Sequence, residues 1–299
     1  MRSCGRSDKQ SERDVSAREE GGKAIAPPHF ATSLMETRLC ANPIFIIGSP
    51  RSGTTALGRA LARHSQLWTS EESKILVDLF GEGQLHRHFR RIGTQEGCWL
   101  HKHGIEKKEF LEFIGLGFDR LFTKISGGKR WVDHTPRHSL LVNELAPMFP
   151  GALFIHILRD GRRVVHSMIN YKRIQTPWST DFRKACRTWR HFVSCAIDAE
   201  LNYPSRFIRV SNEGLIRDAE SSFEKIFGFI GVAFEHAPVQ FMKSNRINSS
   251  VMPNEQTCNL QLSEPWLSWS EEQHEIFREE AWEMLVECGY VGRVGHNVL

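Results

Sequence analysis

The stretch "PIFIIGSPRSGTTALGRAL", residues 43 to 61, runs from apolar residues through a glycine-containing turn into a helical pattern. The run "IFII" at 44–47 predicts a buried β-strand, and the apolar spacing after the turn predicts a helix. In this order of elements, several backbone N–H groups and the positive end of a helix surround one point. The stretch therefore predicts an anion-binding loop between the first strand and the first helix.

The residues within this loop narrow the choice of anion. Gly48 and Gly53 permit a tight turn and match the Gly-x-x-x-x-Gly frame of a nucleotide P-loop. Thr54 stands where a nucleotide triphosphatase carries lysine, and the cation of this loop is Arg51 instead. Because the P-loop lysine acts on the β and γ phosphates, its absence argues against a triphosphate.

The ligand predicted for this loop is a phosphate that carries one transferable group. The loop amides, Arg51 and the hydroxyl groups of Ser52, Thr54 and Thr55 would hold it around Gly53. The alternative is a glycine-rich turn between a strand and a helix that binds no ligand.

Further apolar runs along the chain predict the fold class. They are "RWVDH" at 130–134, "LFIHIL" at 153–158 and "RFIRV" at 206–210, and helical patterns separate them. Continuous apolar strands that alternate with helices are typical of a parallel sheet covered on both faces. The sequence therefore predicts an α/β fold of three layers, with a central parallel sheet flanked by helices.

Composition limits the classes of partner. The chain has 299 residues, 40% of them hydrophobic, and a formal net charge of +4 without long basic blocks. A small anionic ligand is favoured over nucleic acid, and the absence of a run of about 18 apolar residues predicts no membrane partner. The seven cysteines are scattered without a CxxC pair, which argues against a structural zinc site and favours a reducing compartment. We therefore expect a cytoplasmic protein without a metal.

The chain divides into a tail and one domain. Residues 1–41 are polar and rich in charges of both signs, a composition that buries too little apolar surface to order itself. We expect a flexible N-terminal tail over 1–41 and a single domain over 42–299, whose size is tolerable for an α/β unit.

A second anion site is predicted at "LFIHILRDGRRVVHSMI", residues 153–169. A buried strand ends at Arg159, Gly161 permits a turn, and the following helix carries Ser167. The arginine and the serine can both reach one phosphate. The alternative is a surface ion pair between Arg159 and Asp160, with Ser167 facing solvent.

Together these motifs resemble the sulfotransferases that use 3′-phosphoadenosine 5′-phosphosulfate (PAPS). The loop "RSGTT" resembles their 5′-phosphosulfate loop, and Arg159 and Ser167, eight residues apart, resemble their 3′-phosphate site. The resemblance covers roughly residues 43–290. It is strongest to the tyrosylprotein sulfotransferases and their bacterial small-molecule relatives, because "RDGRRVVHSM" and the spacing to "SEES" both fit. It implies a P-loop-type fold, PAPS as the cofactor, and a sulfotransferase domain over 42–299.

Sulfuryl transfer requires a base for the acceptor proton and positive charge near the leaving phosphate. Arg51 is the candidate for stabilising the leaving group. In the tyrosylprotein-type enzymes a catalytic glutamate stands at the position that Glu72 matches, 21 residues after Arg51. Glu71 is the adjacent competitor, and two solvated glutamates at a helix start are the alternative to both.

His134, in "WVDHTPRHS", is a further catalytic candidate. It follows a predicted strand, and the related enzymes carry a lysine near the sulfate at this position. The histidine could donate to the sulfuryl group, replace Glu72 as the base, or serve a structural role.

The sequence therefore predicts transfer of a sulfuryl group from PAPS to a hydroxyl or amine without a metal. The lack of a membrane anchor or signal favours a small-molecule acceptor, with peptide and carbohydrate acceptors left open along with the oligomeric state. One alternative is a P-loop kinase, which would require ATP and magnesium. Another is a non-catalytic nucleotide-binding partner protein, which would bind the nucleotide without turnover.

Overall fold

The structure is a computed structural model that describes residues 39–40, 42–81, 99–244 and 264–292. In this part of the chain five strands form one sheet. They are β1 (Ile44–Ile47), β2 (Leu67–Thr69), β3 (Arg130–Asp133), β4 (Leu153–Leu158) and β5 (Phe207–Ser211).

Helices connect and cover the strands. In chain order they are α1 (Thr54–Leu61), α2 (Ile75–Phe80), α3 (Trp99–Lys102), α4 (Lys107–Ile125), α5 (Val142–Met148), α6 (Gly161–Ile169), α7 (Pro177–Thr180), α8 (Phe182–Asn202), α9 (Asn212–Arg217), α10 (Ala219–Ile230), α11 (His236–Ser244) and α12 (Glu271–Glu287). Short 3-10 helices lie at Pro136–Leu140, Pro204–Arg206 and Pro265–Ser268.

The sheet is parallel throughout, with the strand order β2-β3-β1-β4-β5. β1 is central, and its residues Ile44 to Ile47 pair in register with Leu153 to His156 of β4. The predicted three-layer α/β fold is confirmed. β2 was not predicted from the sequence, because its three residues are too few to form a recognisable run.

The continuous apolar run of β1 is explained by burial on both faces of the sheet. Phe45 and Ile47 pack into one core, which the helices α4, α5 and α8 cover. Ile44 and Ile46 pack into the opposite core, below α1, α10 and α11. All four side chains are fully buried, so each apolar position of the strand contributes to one of the two cores.

A third apolar cluster fixes α12 against α6 and α8, around Trp189 and Phe277. A capping box closes the start of α12. The Ser270 hydroxyl accepts from the N–H of Gln273, and the Gln273 side chain accepts from the N–H of Ser270.

The predicted tail, residues 1–41, lies almost wholly outside the described residues, and its separation from the domain stays a prediction. Among the helices that the structure describes, none has both the length and the apolar composition needed to span a bilayer.

Candidate functional site

The loop after β1 is anchored at its first residue. The N–H of Gly48 donates to the Ser139 hydroxyl over 2.8 Å, and that hydroxyl lies 2.8 Å from the carbonyl oxygen of Pro136. Ser139 is buried in the 3-10 helix that follows β3. The neighbouring strand β3 therefore fixes the point at which the loop begins.

Gly53 ends the loop and is the N-cap residue of α1. Its φ is +105°, and no side chain caps the helix. A Cβ at this position would collide with Nδ2 of Asn212, which follows β5. The first N–H groups of any helix lack intrahelical acceptors, and here Gly53, Thr54 and Thr55 line a cavity. The positive end of α1 is thus open to an anion.

We expect Gly53→Ala to lower the free energy of unfolding by about 1–3 kcal/mol, because the backbone conformation is unfavourable for alanine and the new methyl group meets Asn212. Urea unfolding measures the change. Gly117→Ala is the matched control, since a Cβ there meets nothing within 4 Å, and it should raise stability by about 0.5–1 kcal/mol through helix propensity. Equal urea midpoints for the two variants would contradict the prediction.

Arg51 links the two predicted anion sites. Its Nε donates to the Ser167 hydroxyl over 3.1 Å, and its carbonyl oxygen accepts from Nη1 of Arg159 over 2.8 Å. Its guanidinium lies 4.7 Å from the centre of the Tyr171 ring, a cation–π distance. The backbone of Arg51 is left-handed, with a φ of +72°, a conformation that persists only when its surroundings hold it.

The ion pair considered between Arg159 and Asp160 does not form. Asp160 instead pairs with Arg162, whose Nη2 lies 2.8 Å from Oδ2, and its Oδ1 accepts from the N–H of Arg162 at the start of α6. Arg159 is directed towards the loop, and its buried Nε has no hydrogen-bond partner among the described residues. This arrangement leaves donor capacity at the end of β4 for an anion.

Burial changes the electrostatics of both arginines. It lowers the pKa of the Arg51 guanidinium, with Arg159 and Arg173 acting in the same direction. It also lowers the pKa of Arg159, against the opposing effect of Glu213. A nearby negative charge favours the protonated form of a buried arginine, so an anion bound between Arg51 and Arg159 would be stabilised.

The two sites share one cavity of about 1010 Å³. The predicted anion-binding segments contribute Arg51, Gly53, Thr54, Thr55, Arg159 and Ser167 to the lining. An apolar and aromatic part of the lining, here called the apolar wall, consists of Leu140, Tyr171, Ile174, Trp178 and Phe192, and its Tyr171 ring also contacts Arg51. Lys74 and Arg137 add positive charge to the lining.

Glu72 lies in this lining, whereas Glu71 does not. The Glu72 carboxylate Oε1 is 3.4 Å from the Thr55 hydroxyl, and the residue is half-buried. Glu71 is exposed to solvent. The structure therefore places the Glu72 carboxylate beside the loop after β1 and leaves Glu71 outside the cavity.

Ser52 and His134 are the predicted site residues that do not line the cavity. Ser52 is 1% exposed, and its buried hydroxyl has no hydrogen-bond partner among the described residues. The His134 ring is buried against Gly58 of α1, and its Nε2 lies 3.1 Å from the carbonyl oxygen of Ser70. His134 thus contacts the segment that carries Glu72, and the histidine itself lies outside the cavity.

Asn212 and Tyr171 line the cavity without having been predicted as site residues. Asn212 directly follows β5, so the rule that ligands bind at the carboxyl ends of parallel strands could have identified it. Tyr171 comes after α6, and its contact with Arg51 has no signal in the sequence.

Among the described residues no group of three or more His, Cys, Asp or Glu side chains could hold a metal ion. The absence of a metal from the reaction stays a prediction.

Comparison with known proteins identifies relatives over most of the chain. A family model described as "Sulfotransferase family" matches residues 43–236. A protein-tyrosine sulfotransferase of Drosophila melanogaster is 26% identical over 65% of this chain and 39% of its own length. A putative protein-tyrosine sulfotransferase of Caenorhabditis briggsae is 24% identical over 64% of this chain and 66% of its own length. The chain thus matches less than two thirds of either relative.

Solved structures share the fold. The sulfotransferase domain of the olefin synthase of Synechococcus PCC 7002 aligns with a TM-score of 0.54 and 21% identity, over 86% of this chain and 98% of that domain. The sulfotransferase domain from the curacin biosynthetic pathway aligns with a TM-score of 0.51 and 18% identity, over 81% and 98%. Identities this low support the P-loop-type architecture alone.

The prediction of a cytoplasmic location is wrong. It rested on the scattered cysteines and on the lack of an anchor in the sequence. The relatives with which the chain aligns are protein-tyrosine sulfotransferases, and nothing in the comparison supports the cytoplasm.

Proposed function

The chain belongs to the sulfotransferase family, and from this premise we propose that it transfers a sulfuryl group from PAPS to a hydroxyl or amine of an acceptor. The observation that carries the proposal is the hydrogen bond between Arg51 and Ser167, which joins the loop after β1 to the helix after β4 at one cavity. In this proposal residues 42–299 form the sulfotransferase domain, and the polar tail 1–41 lies outside it.

The residues present fit a nucleotide with phosphates at both its 3′ and 5′ positions. Gly53 and Thr54 line the cavity at the start of α1, which no side chain caps. The buried Nε of Arg159 lacks a partner among the described residues, and Ser167 lines the same cavity. We assign the 5′-phosphosulfate to the loop residues Arg51 to Thr55, and the 3′-phosphate to Arg159 and Ser167.

When bound, PAPS supplies the activated sulfuryl group and a phosphate leaving group. The role of Arg51 in the proposal is to stabilise negative charge on the leaving oxygen, helped by the N–H groups at the start of α1. Glu72 accepts the proton of the acceptor, because its carboxylate is next to Thr55 and in the lining of the same cavity. The Ser52 hydroxyl and His134 have no direct role, since neither lines the cavity.

The acceptor lies against the apolar wall. Tyr171 and Trp178 have ring centres 5.6 Å apart, and Ile174 and Phe192 extend the surface they form. A wall of this kind favours a flat, apolar acceptor, and we propose a phenolic hydroxyl. A tyrosine side chain and a small phenol share this chemistry, and an acceptor assay with both distinguishes them. A cavity of about 1010 Å³ is large enough for a nucleotide and an acceptor together.

Calorimetric titration tests the nucleotide. We expect 3′-phosphoadenosine 5′-phosphate (PAP) to bind roughly 10- to 100-fold more tightly than ATP with magnesium, because charge-assisted hydrogen bonds to the 3′-phosphate contribute about 1.5–3 kcal/mol. Turnover is then measured with labelled PAPS and either 2-naphthol or a tyrosine peptide as acceptor. Tighter binding of magnesium ATP would support a P-loop kinase and overturn the proposal. Tight binding of PAP without turnover of either acceptor would favour a non-catalytic nucleotide-binding protein.

A further inference from the structure

Two contacts attach the segment Ser70–Lys74, which carries Glu72, to the end of β3. On one side of Glu72 the carbonyl oxygen of Ser70 lies 3.1 Å from Nε2 of His134. On the other side the Ser73 hydroxyl donates to Oδ2 of Asp133 over 2.7 Å. Asp133 and His134 are adjacent in the chain, so one short stretch of backbone holds the segment on both sides of the carboxylate.

The segment Ser70–Lys74 has no regular secondary structure. It lies between the end of β2 at Thr69 and the start of α2 at Ile75, within neither a strand nor a helix. Glu71 and Lys74 are exposed, and the backbone of Lys74 is left-handed, with a φ of +54°. That conformation costs a lysine about 1–2 kcal/mol, so local preference does not maintain it. Besides the contact between Glu72 and Thr55, the two contacts with the end of β3 are the long-range hydrogen bonds of this segment among the described residues.

Asp133 is suited to hold a hydroxyl group. It is buried, its Oδ1 accepts from the N–H of Thr135 over 2.9 Å, and its Oδ2 accepts from Ser73. Burial acts to raise the pKa of this carboxyl, but His138, the Ser73 hydroxyl and the Thr135 N–H together hold the pKa below its usual range. The group is therefore ionised at neutral pH, and each carboxylate oxygen serves as an acceptor.

His134 is held in place by packing. A Cβ on Gly58 of α1 would collide with its ring, so the helix after the anion-binding loop rests directly on the imidazole. A carbonyl oxygen can only accept a hydrogen bond, and Nε2 of His134 must therefore be the donor to Ser70. The same ring thus contacts α1 and the segment that carries Glu72.

We propose that Asp133 and His134 are positioning residues, which hold the Glu72 carboxylate beside Thr55 by binding Ser73 and the Ser70 carbonyl. This inference rests on the proposed function of Glu72 as the base. His134, considered from the sequence as a residue that touches the sulfuryl group, acts instead through the backbone of Ser70.

The Ser73→Ala variant tests the inference. It removes one hydroxyl and leaves Asp133 bound to Thr135. With PAPS and 2-naphthol or the tyrosine peptide, we expect kcat to fall roughly 10- to 100-fold, because a displacement of about 1 Å costs up to that factor. The KM for PAPS and the calorimetric affinity for PAP should stay within about twofold. Ser73→Thr, which keeps the hydroxyl, should restore kcat.

Ser70→Ala is the matched control. Within the described residues the Ser70 hydroxyl donates only to the carbonyl oxygen of its neighbour Glu71, whereas the Ser70 backbone carbonyl makes the contact with His134. This variant should therefore keep the wild-type kcat. A loss in Ser70→Ala equal to that in Ser73→Ala would overturn the inference, because any change in the segment would then have the same effect.

A double variant separates the inference from the function on which it rests. If Ser73 acts through Glu72, Ser73→Ala should lower the residual rate of Glu72→Gln by less than twofold. The same fold loss in both backgrounds would overturn the positioning role and leave Glu72 as the base. A kcat of Glu72→Gln equal to that of the wild type would instead show that Glu72 is not the base.

Crystal structures of the variants test the inference without measuring turnover. The Thr55–Glu72 contact should be present in the wild type and absent in Ser73→Ala, and its retention would contradict the inference.

Discussion

Replacing Glu72 by glutamine is expected to lower kcat for sulfuryl transfer by about 10²–10⁴-fold, the usual contribution of a general base. Glutamine has nearly the same shape as glutamate and cannot accept the acceptor proton. The calorimetric affinity for PAP should stay within about twofold, because the nucleotide contacts of the proposal belong to Arg51, Arg159 and the start of α1. Turnover of labelled PAPS with 2-naphthol or the tyrosine peptide gives the rate.

Glu71→Gln is the matched control for this prediction. Glu71 is adjacent in the chain, carries the same charge, is exposed, and does not line the cavity. Its replacement should leave kcat within about twofold of the wild type. A large loss in Glu71→Gln together with full activity in Glu72→Gln would transfer the role of base to Glu71.

The Arg159→Ala variant should lose most of the affinity for a nucleotide with a 3′-phosphate. Removing one member of a buried, hydrogen-bonded charge pair costs about 2–5 kcal/mol, which corresponds to roughly a 30-fold to several-thousand-fold weaker Kd for PAP. Adenosine 5′-phosphate lacks the 3′-phosphate, so its affinity should change by less than about threefold. Calorimetry with both nucleotides measures the difference.

Arg137→Ala controls for the loss of positive charge at the cavity. Arg137 is exposed and lines the same cavity, and its replacement should weaken PAP by less than about tenfold. Thermal unfolding of each variant shows whether the fold is retained. If Arg159→Ala weakened PAP and adenosine 5′-phosphate equally, Arg159 would act on the loop through its bond to the Arg51 carbonyl rather than on a 3′-phosphate.

The sequence predicts the sheet well because its central strands are buried on both faces. β1 and β4 lie between two helical layers, so nearly every position in them is apolar and the runs are easy to recognise. β2 has three residues, and no periodicity can be read from so short a segment. The order strand, glycine loop, helix was likewise sufficient to predict that α1 begins directly after the glycine turn.

The contacts within the site were less predictable. Arg51 and Ser167 are 116 residues apart, and their hydrogen bond depends on the adjacency of β1 and β4 in the sheet. His134 and Ser52 have residue types suited to catalysis or binding, and their burial depends on packing that pattern analysis does not include. Residue type and motif spacing therefore identified segments that line the cavity, whereas tertiary packing decides which of their side chains reach it.

The unequal bonding of the cavity lining has a consequence for protein engineering. Arg51 is hydrogen-bonded to both Ser167 and Arg159, so a substitution at any of the three disturbs the group. Ile174 and Trp178 follow α6 in the chain and line the cavity outside these hydrogen bonds, whereas Tyr171 contacts Arg51. A mutant library confined to 174–178 is therefore expected to change the choice of acceptor while the contacts of Arg51 stay intact.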